Sequence, residues 1–388
     1  MFRILSLVCC LATTSLHAQD STKQILARSV NPLTMMAYGL GEDRLGGAKM
    51  GYVDTAVLFR ITDSARSMYK VQLSKQHSVY VSKKDVKTDT SYRQKSFYLL
   101  NSWSVKGTDE GYDLFSLSLD EKLPYKSWME ISPSKIMLEI YGVQSNTNWI
   151  TQLQSAKEIK NVYLNQVEDD VVRITIELKH KQHWGYSISY RGRSLQVKVK
   201  QQPEKLRVSK MKIAIDAGHG GTNTGAKGIK TNILEKDYTL EFAWKLQEIL
   251  TRKGAEVIMT RTIDTTLDNQ DRVLMLQKEK PDLLISLHLN SSSNASVQGT
   301  STYYKHIGFR PLSQEILDQM LDLKLKEFGN IGNFNFMLNA PTDFPNCLVE
   351  VAFLSNEEDE KKIMSKKFHK AVAKKIWKGI RNYLRQAD

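Results

Sequence analysis

Near residue 200 the hydrophobic pattern of the chain changes its period, and that change sets the architecture. Upstream, apolar and polar residues alternate in short runs. Tyr69-Lys70-Val71-Gln72-Leu73, Ser78-Val79-Tyr80-Val81, Val172-Arg173-Ile174-Thr175-Ile176-Glu177-Leu178 and Leu195-Gln196-Val197-Lys198-Val199-Lys200 are examples. A period of two buries one face of a strand, so these runs read as sheet strands. Downstream, Lys212-Ile213-Ala214-Ile215-Asp216 is a buried-type strand, and Phe242, Ala243, Leu246, Ile249 and Leu250 recur at helical spacing over 235–252. A strand over 256–260, a helix over 271–278 and an apolar strand over 282–288 follow. Strands alternating with helices predict a mostly parallel sheet flanked by helices. The polar run 201–210, with Pro203, reads as a linker. The expected chain is multidomain: a small β-barrel-like module at 19–105, a β-rich domain at 106–200, the linker, and an α/β domain at 211–388.

The amino terminus addresses the compartment. Arg3, an apolar stretch over 4–16 and Ala18 at a cleavage position read as a secretory signal peptide over 1–18. That stretch is too short to span a bilayer, and no other run approaches the ~18 apolar residues a span needs. Val8 before Cys9 does not suit lipidation. Cys9 and Cys10 leave with the signal, so Cys347 alone remains and no internal disulfide forms. The mature protein is expected to be exported, periplasmic or in the cell envelope, with no transmembrane segment. Lys and Arg outnumber Asp and Glu by 55 to 42, which favours an anionic partner. Export removes nucleic acid from the candidates.

The chemistry gathers in the α/β part. Asp216-Ala217-Gly218-His219-Gly220-Gly221 is neither a dinucleotide fingerprint, which would need glycine at Asn223, nor a P-loop, since Ala226 and Lys227 follow Gly225. It leaves a histidine at the carboxyl end of a strand, where open α/β sheets bind ligands. His288, in Ser286-Leu287-His288-Leu289-Asn290, has the same setting on another strand. The histidines His77, His180, His183, His306 and His369 do not share it. Glu235 opens the following helix, where a metal ligand and a first-turn glutamate favoured by the helix dipole both fit. Glu350 lies in the apolar run Cys347-Leu348-Val349-Glu350-Val351-Ala352-Phe353. A charge there marks a site or a structural ion pair. Hydrolytic zinc chemistry needs about three N or O ligands and an open position. The lysine-rich helix beginning near Ser365 reads as a packed helix with a solvated face.

Together these blocks resemble the zinc-dependent N-acetylmuramoyl-L-alanine amidases of bacterial cell walls. The likeness rests on the glycine loop, Glu235-Lys236-Asp237, Thr260-Arg261, the His288 block, and Val349-Glu350-Val351-Ala352-Phe353-Leu354-Ser355-Asn356. Ala352 and Leu289 depart from the family pattern without removing a ligand. The resemblance implies Zn2+ held by His219, Glu235 and His288, Glu350 as the catalytic glutamate, and peptidoglycan as substrate. Residues 45–87 look like a bacterial Src-homology-three-like barrel, and 113–200 are similar to AMIN-type targeting domains, which implies an envelope or division-site activator as partner. A zinc peptidase cutting stem-peptide bonds and a catalytically degenerate wall-binding protein are the competing readings. Presence of all four residues argues against the second.

Some relatives carry a long helix after the second histidine motif that blocks the zinc. Here only residues 291–298 separate that motif from Gly299-Thr300-Ser301-Thr302-Tyr303-Tyr304, too few for such a helix. The zinc-loaded α/β domain is therefore expected to turn over peptidoglycan without an activator. Dye release from labelled sacculi checks this, and silence until an activator is added would overturn it.

Overall fold

The computed structural model describes residues 25–40, 48–90, 95 and 97–387; the expected signal segment 1–18 lies outside them. Among the described residues no helix is long and apolar enough to cross a membrane.

Residues 25–88 form a seven-stranded sheet in the order Lys49–Val53, Thr34–Ala37, Ser78–Ser82, Met68–Gln72, Leu58–Ala65, Ile25–Ser29 and Val86–Thr88. Every neighbouring pair is antiparallel. The alternation in Ser78–Ser82 buries Val79 and Val81, and their neighbours Met36, Phe59 and Val71 complete the interior. Next come two sheets. One orders Tyr125–Ile131, Ser134–Tyr141, Val171–Leu178 and Ile159–Glu168. The other runs Val143–Ser145, Tyr98–Gly107, Tyr112–Leu119, Ser194–Lys200 and Tyr186–Arg191, with Ile150–Gln152 also on Tyr98–Gly107. Their apolar faces share one core through residues such as Leu117, Ile136, Ile174 and Val197. Tyr98–Gly107 straddles the expected 105/106 boundary and pairs within this second region.

In the third region, labelled in chain order, the elements are β1 (Lys212–Ala217), α1 (Glu235–Arg252), β2 (Glu256–Met259), α2 (Asn269–Glu279), β3 (Leu283–Asn290), β4 (Thr300–Tyr303), α3 (Arg310–Leu321), β5 (Glu327–Ile331), β6 (Asn346–Phe353), α4 (Glu357–Ile363) and α5 (Lys366–Gln386). The sheet order is β2-β1-β3-β6-β4-β5. β1 runs parallel to β2 and β3, β3 to β6, and β4 to β5, whereas β4 is antiparallel to β6. The sheet is therefore mixed, where the sequence pattern predicted a mostly parallel one. The reason is the short β3–β4 connection. A parallel return needs a crossover of about a dozen residues, and the turns over 291–299 cannot supply it.

The β1 side chains alternate between two cores. Ile213 and Ile215 pack with α1, α3 and α5 residues such as Leu246, Ile316 and Ile376, while Ala214 packs with Val273 and Leu276 of α2 and with Leu338. Both faces of the sheet are covered, which leaves its edge for ligands. α5 buries Val372, Ala373, Ile376, Ile380, Tyr383 and Leu384. Ser365 holds the cap position of α5 without a side-chain cap bond; Asn356 instead caps α4, accepting from the Glu358 and Asp359 amides.

The three regions are hydrogen-bonded together. The Tyr186 amide donates to the Thr342 carbonyl at 2.7 Å, and the Thr342 hydroxyl donates back to the Tyr186 carbonyl at 2.7 Å. Lys49 Nζ of the first sheet reaches the Asn335 carbonyl at 2.9 Å.

Candidate metal centre

β1 delivers the first candidate ligand through a strained turn. His219 follows Gly218 at φ 62°, a left-handed conformation that costs a non-glycine residue about 1–3 kcal/mol and persists only when its surroundings over-determine it. Here two guanidinium groups do so. Arg272 donates to the Ala217 and His219 carbonyls at 2.7 and 2.6 Å. Arg261 donates to the Ala217 and Gly218 carbonyls at 2.9 and 3.0 Å, and the Thr239 hydroxyl adds a bond to Gly218 at 2.7 Å. Three consecutive carbonyls are thus fixed before any ligand arrives.

Arg272 is only 2% exposed, and a buried charge needs a partner. Asp216 supplies it at 2.8 Å, and the Ser286 and Thr260 hydroxyls donate to the same carboxylate. Burial works to raise the Asp216 pKa, but the Arg272 charge, with its other donors, holds it below the ordinary carboxylate value.

The three donors meet above this base. Glu235, the first residue of α1 and 4% exposed, is held by the Ala226 amide at 2.8 Å and the Leu289 amide at 3.0 Å. Its Oε1 lies 3.0 Å from His219 Nε2 and 3.1 Å from His288 Nδ1. Burial favours a neutral Glu235 carboxyl, but hydrogen bonds and charge from both imidazoles hold it far below the usual range. Burial likewise lowers the His219 pKa, and the Glu235 contact outweighs it, leaving a net rise. Asn223 Oδ1 accepts from His219 Nδ1 at 2.8 Å, which fixes the tautomer and turns Nε2 toward Glu235.

Two glycines make the room. A Cβ at Gly218 would stand 2.3 Å from His288 Cε1, and one at Gly225 would stand 2.5 Å from Glu235 Oε2.

Glu350 joins from β6, where it sits in register beside His288 of β3 and is 7% exposed. Burial raises the Tyr303 pKa, and the nearby charge of Glu350 adds to the rise. Phe336 stacks on His288, 6.4 Å between centroids and 6° between planes, with Phe334 4.6 Å from Phe336.

These residues suit a metal ion. The ligand atoms of His219, Glu235 and His288 all lie within 4.8 Å of one another. Tetrahedral zinc with ligands near 2.1 Å spaces its donors about 3.4 Å apart, close to the two contacts above. Two imidazoles and one carboxylate form a ligand set that catalytic zinc uses.

The remaining described histidines are occupied elsewhere. His77 pairs with Glu168, His180 with Glu158, and His183, His306 and His369 bond to backbone carbonyls. Cys347 is buried in β6, its thiol pushed up by burial. Sequence reasoning missed the Asp216–Arg272 pair, Asn223 and Phe336. An aspartate ending an apolar strand and an arginine beside Val273 on a packed helix were the available signals for the pair.

An α/β sheet that presents this His-Glu-His cluster beside a second glutamate has the apparatus of a metal-dependent hydrolase. Residues 213–382 match the Amidase_3 family, described as N-acetylmuramoyl-L-alanine amidase. The germination-specific N-acetylmuramoyl-L-alanine amidase of Bacillus subtilis (strain 168) is 33% identical over 201 residues, covering 47% of this chain and 83% of that protein. The probable cell wall amidase LytH of Staphylococcus aureus is 32% identical over 177 residues, covering 44% and 57% respectively. Among solved structures, the catalytic domain of the CwlV amidase from Bacillus (Paenibacillus) polymyxa var. colistinus is 32% identical, with a TM-score of 0.44 over 46% of this chain and 99% of that one. The chain belongs to the N-acetylmuramoyl-L-alanine amidase family.

Two outcomes follow from the packing. Gly218→Ala pushes the His288 ring aside and should weaken the site's affinity for a divalent metal ion about 10- to 100-fold with unchanged far-UV circular dichroism; unaltered affinity in a metal-competition titration would count against the cradle. Arg272→Met leaves Asp216 buried without its partner and should cost about 3–5 kcal/mol in urea unfolding at pH 7. The Asp216 pKa is lowered on folding, so its contribution is present above the unfolded value near 3.9 and disappears as pH falls through the folded value. The loss in the variant should shrink accordingly in acid.

Proposed function

We propose that this chain is an exported, zinc-dependent peptidoglycan amidase, cleaving the amide between the lactyl group of N-acetylmuramic acid and L-alanine of the stem peptide. The observation that carries the reading is the convergence of His219, Glu235 and His288 at the sheet edge with Glu350 in register beside them, in a chain of this family.

His219, Glu235 and His288 would hold the zinc, which when bound supplies Lewis acidity that makes water a nucleophile near pH 7 and polarises the scissile carbonyl. Glu350 is the proton carrier. Its carboxylate accepts a proton from the attacking water and returns one to the alanine nitrogen as the C–N bond breaks. Asn223 keeps the His219 Nδ1 proton away from the ligand atom, and the backbone amides of Ala226 and Leu289 keep Glu235 aimed. Arg261 and Arg272 hold the loop so that the donors need no reorganisation when substrate binds.

In this reading the amino-terminal sheets are targeting modules, the first ending before Tyr98 and the second running from Tyr98 to residue 200, ahead of the α/β domain at 211–388. The first is assigned as the Src-homology-three-like barrel and the second as the AMIN-like domain. They direct the enzyme to the wall and to an envelope or division-site activator. The all-antiparallel first sheet and the paired sheets of the second region support that assignment. The basic start and apolar run over 1–18 support a periplasmic or envelope location.

Mass spectrometry of digested peptidoglycan tests the bond. A free lactyl group on the sugar, lost with a chelator, is expected; cleavage within the stem peptide would instead identify a zinc peptidase. Glu350→Ala should retain zinc and lose about 10²–10⁴ in turnover. Loss of the metal would make Glu350 a ligand.

A further inference from the structure

A cleft of about 480 Å³ opens where the three regions meet, next to the metal centre but separate from it. Its walls come from the first sheet (Lys49), the second region (Lys126, Trp128) and the α/β region (Tyr304, Lys305, Asn335). Among the described residues no aspartate or glutamate lines it. Three ammonium groups therefore share one concave, half-buried space without a carboxylate among its described walls. Lys49 is spent on a neutral partner, the Asn335 carbonyl. Lys126 lies 5.4 Å from the Trp128 ring and 5.6 Å from that of Tyr38. Lys305 has no hydrogen bond or ion pair among the described residues. Burial and the like charge of Lys49 push the Lys305 pKa down to about 8, and burial lowers that of Lys49 as well. Gathering cations at the cost of their own ionisation is a mark of a site built for an anion.

The cleft and the metal centre share a wall. Gly332, Asn333 and Asn335 line the cleft, while the alternate residues Phe334 and Phe336 pack against Tyr303 and His288 on the metal side. A polymer with one unit at the metal centre would meet the cleft across this shared segment. Trp128 and Tyr304 give flat apolar surface beside the cations, a combination suited to a saccharide carrying carboxylates.

We infer that this cleft is a second peptidoglycan subsite, in which Lys126 and Lys305 hold the carboxylates of a stem peptide adjacent to the one being cleaved. The inference rests on the substrate class proposed above and adds to it a preference for polymer over fragment.

The test uses the full-length zinc-loaded protein with Lys126→Gln and Lys305→Gln combined, on intact sacculi and on a disaccharide bearing one stem peptide. KM on sacculi should rise about tenfold with kcat unchanged, the fragment should be unaffected, and arginine at both positions should restore the polymer KM. A binding readout runs beside it: Glu350→Ala protein should sediment with sacculi, and adding the two glutamine changes should release it. Unchanged KM and sedimentation would overturn the subsite, as would equal losses on both substrates. Lysine-dependent binding to phosphatidylglycerol vesicles with none to sacculi would overturn it in favour of a lipid surface. Lysine-dependent sedimentation by a protein that hydrolyses nothing would support the subsite while refuting the amidase reading.

Discussion

The buried pair between Asp216 and Arg272 is the interaction on which the rest of the site depends. Asp216 is the penultimate residue of a strand that otherwise carries only apolar side chains into the core, and Arg272 comes from a helix on one face of the sheet. Each charge would be prohibitive alone. Once joined, they leave the guanidinium free to grip the carbonyls of Ala217 and His219, so an electrostatic necessity of the core becomes the jig for a strained loop. Arg261 repeats the device from the end of β2, and a single layer of backbone carries both sets of bonds. Ligand placement at the sheet edge is therefore a consequence of core electrostatics.

Much of this was legible in the chain before any coordinates. The helix over 235–252 and the strands near 172–178 and 195–200 follow from periodicity, because packing and local pattern agree there. Glu350 was legible as a charge in an apolar run. The region from 300 to 345 was not: β4 and β5 are four and five residues long, too short to display a period. Ile25–Ser29 and Thr34–Ala37 were hidden for the same reason, although they complete the first sheet. The Asp216–Arg272 pair was missed because its members stand 56 residues apart, and only the fold makes them neighbours. Asn223 lay in view in the glycine loop, yet its role depends on a left-handed turn at His219 that a sequence does not announce.

The glycines show how little slack the centre has. Gly218 is fitted against the His288 ring, and Gly225 against Glu235, so both side chains are braced by the absence of a side chain on another segment. Rigidity of this kind suits a site whose catalysis relies on preorganised groups more than on closure around the substrate.

The short return between β3 and β4 has an evolutionary side. Residues 291–299 form turns whose two ends are pinned by strands of the sheet. Lengthening such a loop costs only about 0.6 kcal/mol for each doubling, since closure entropy grows with the logarithm of length. The place from which an inserted segment could cover the His-Glu-His cluster is thus also a cheap place to insert one, and a longer loop there would leave the sheet and the jig as they are.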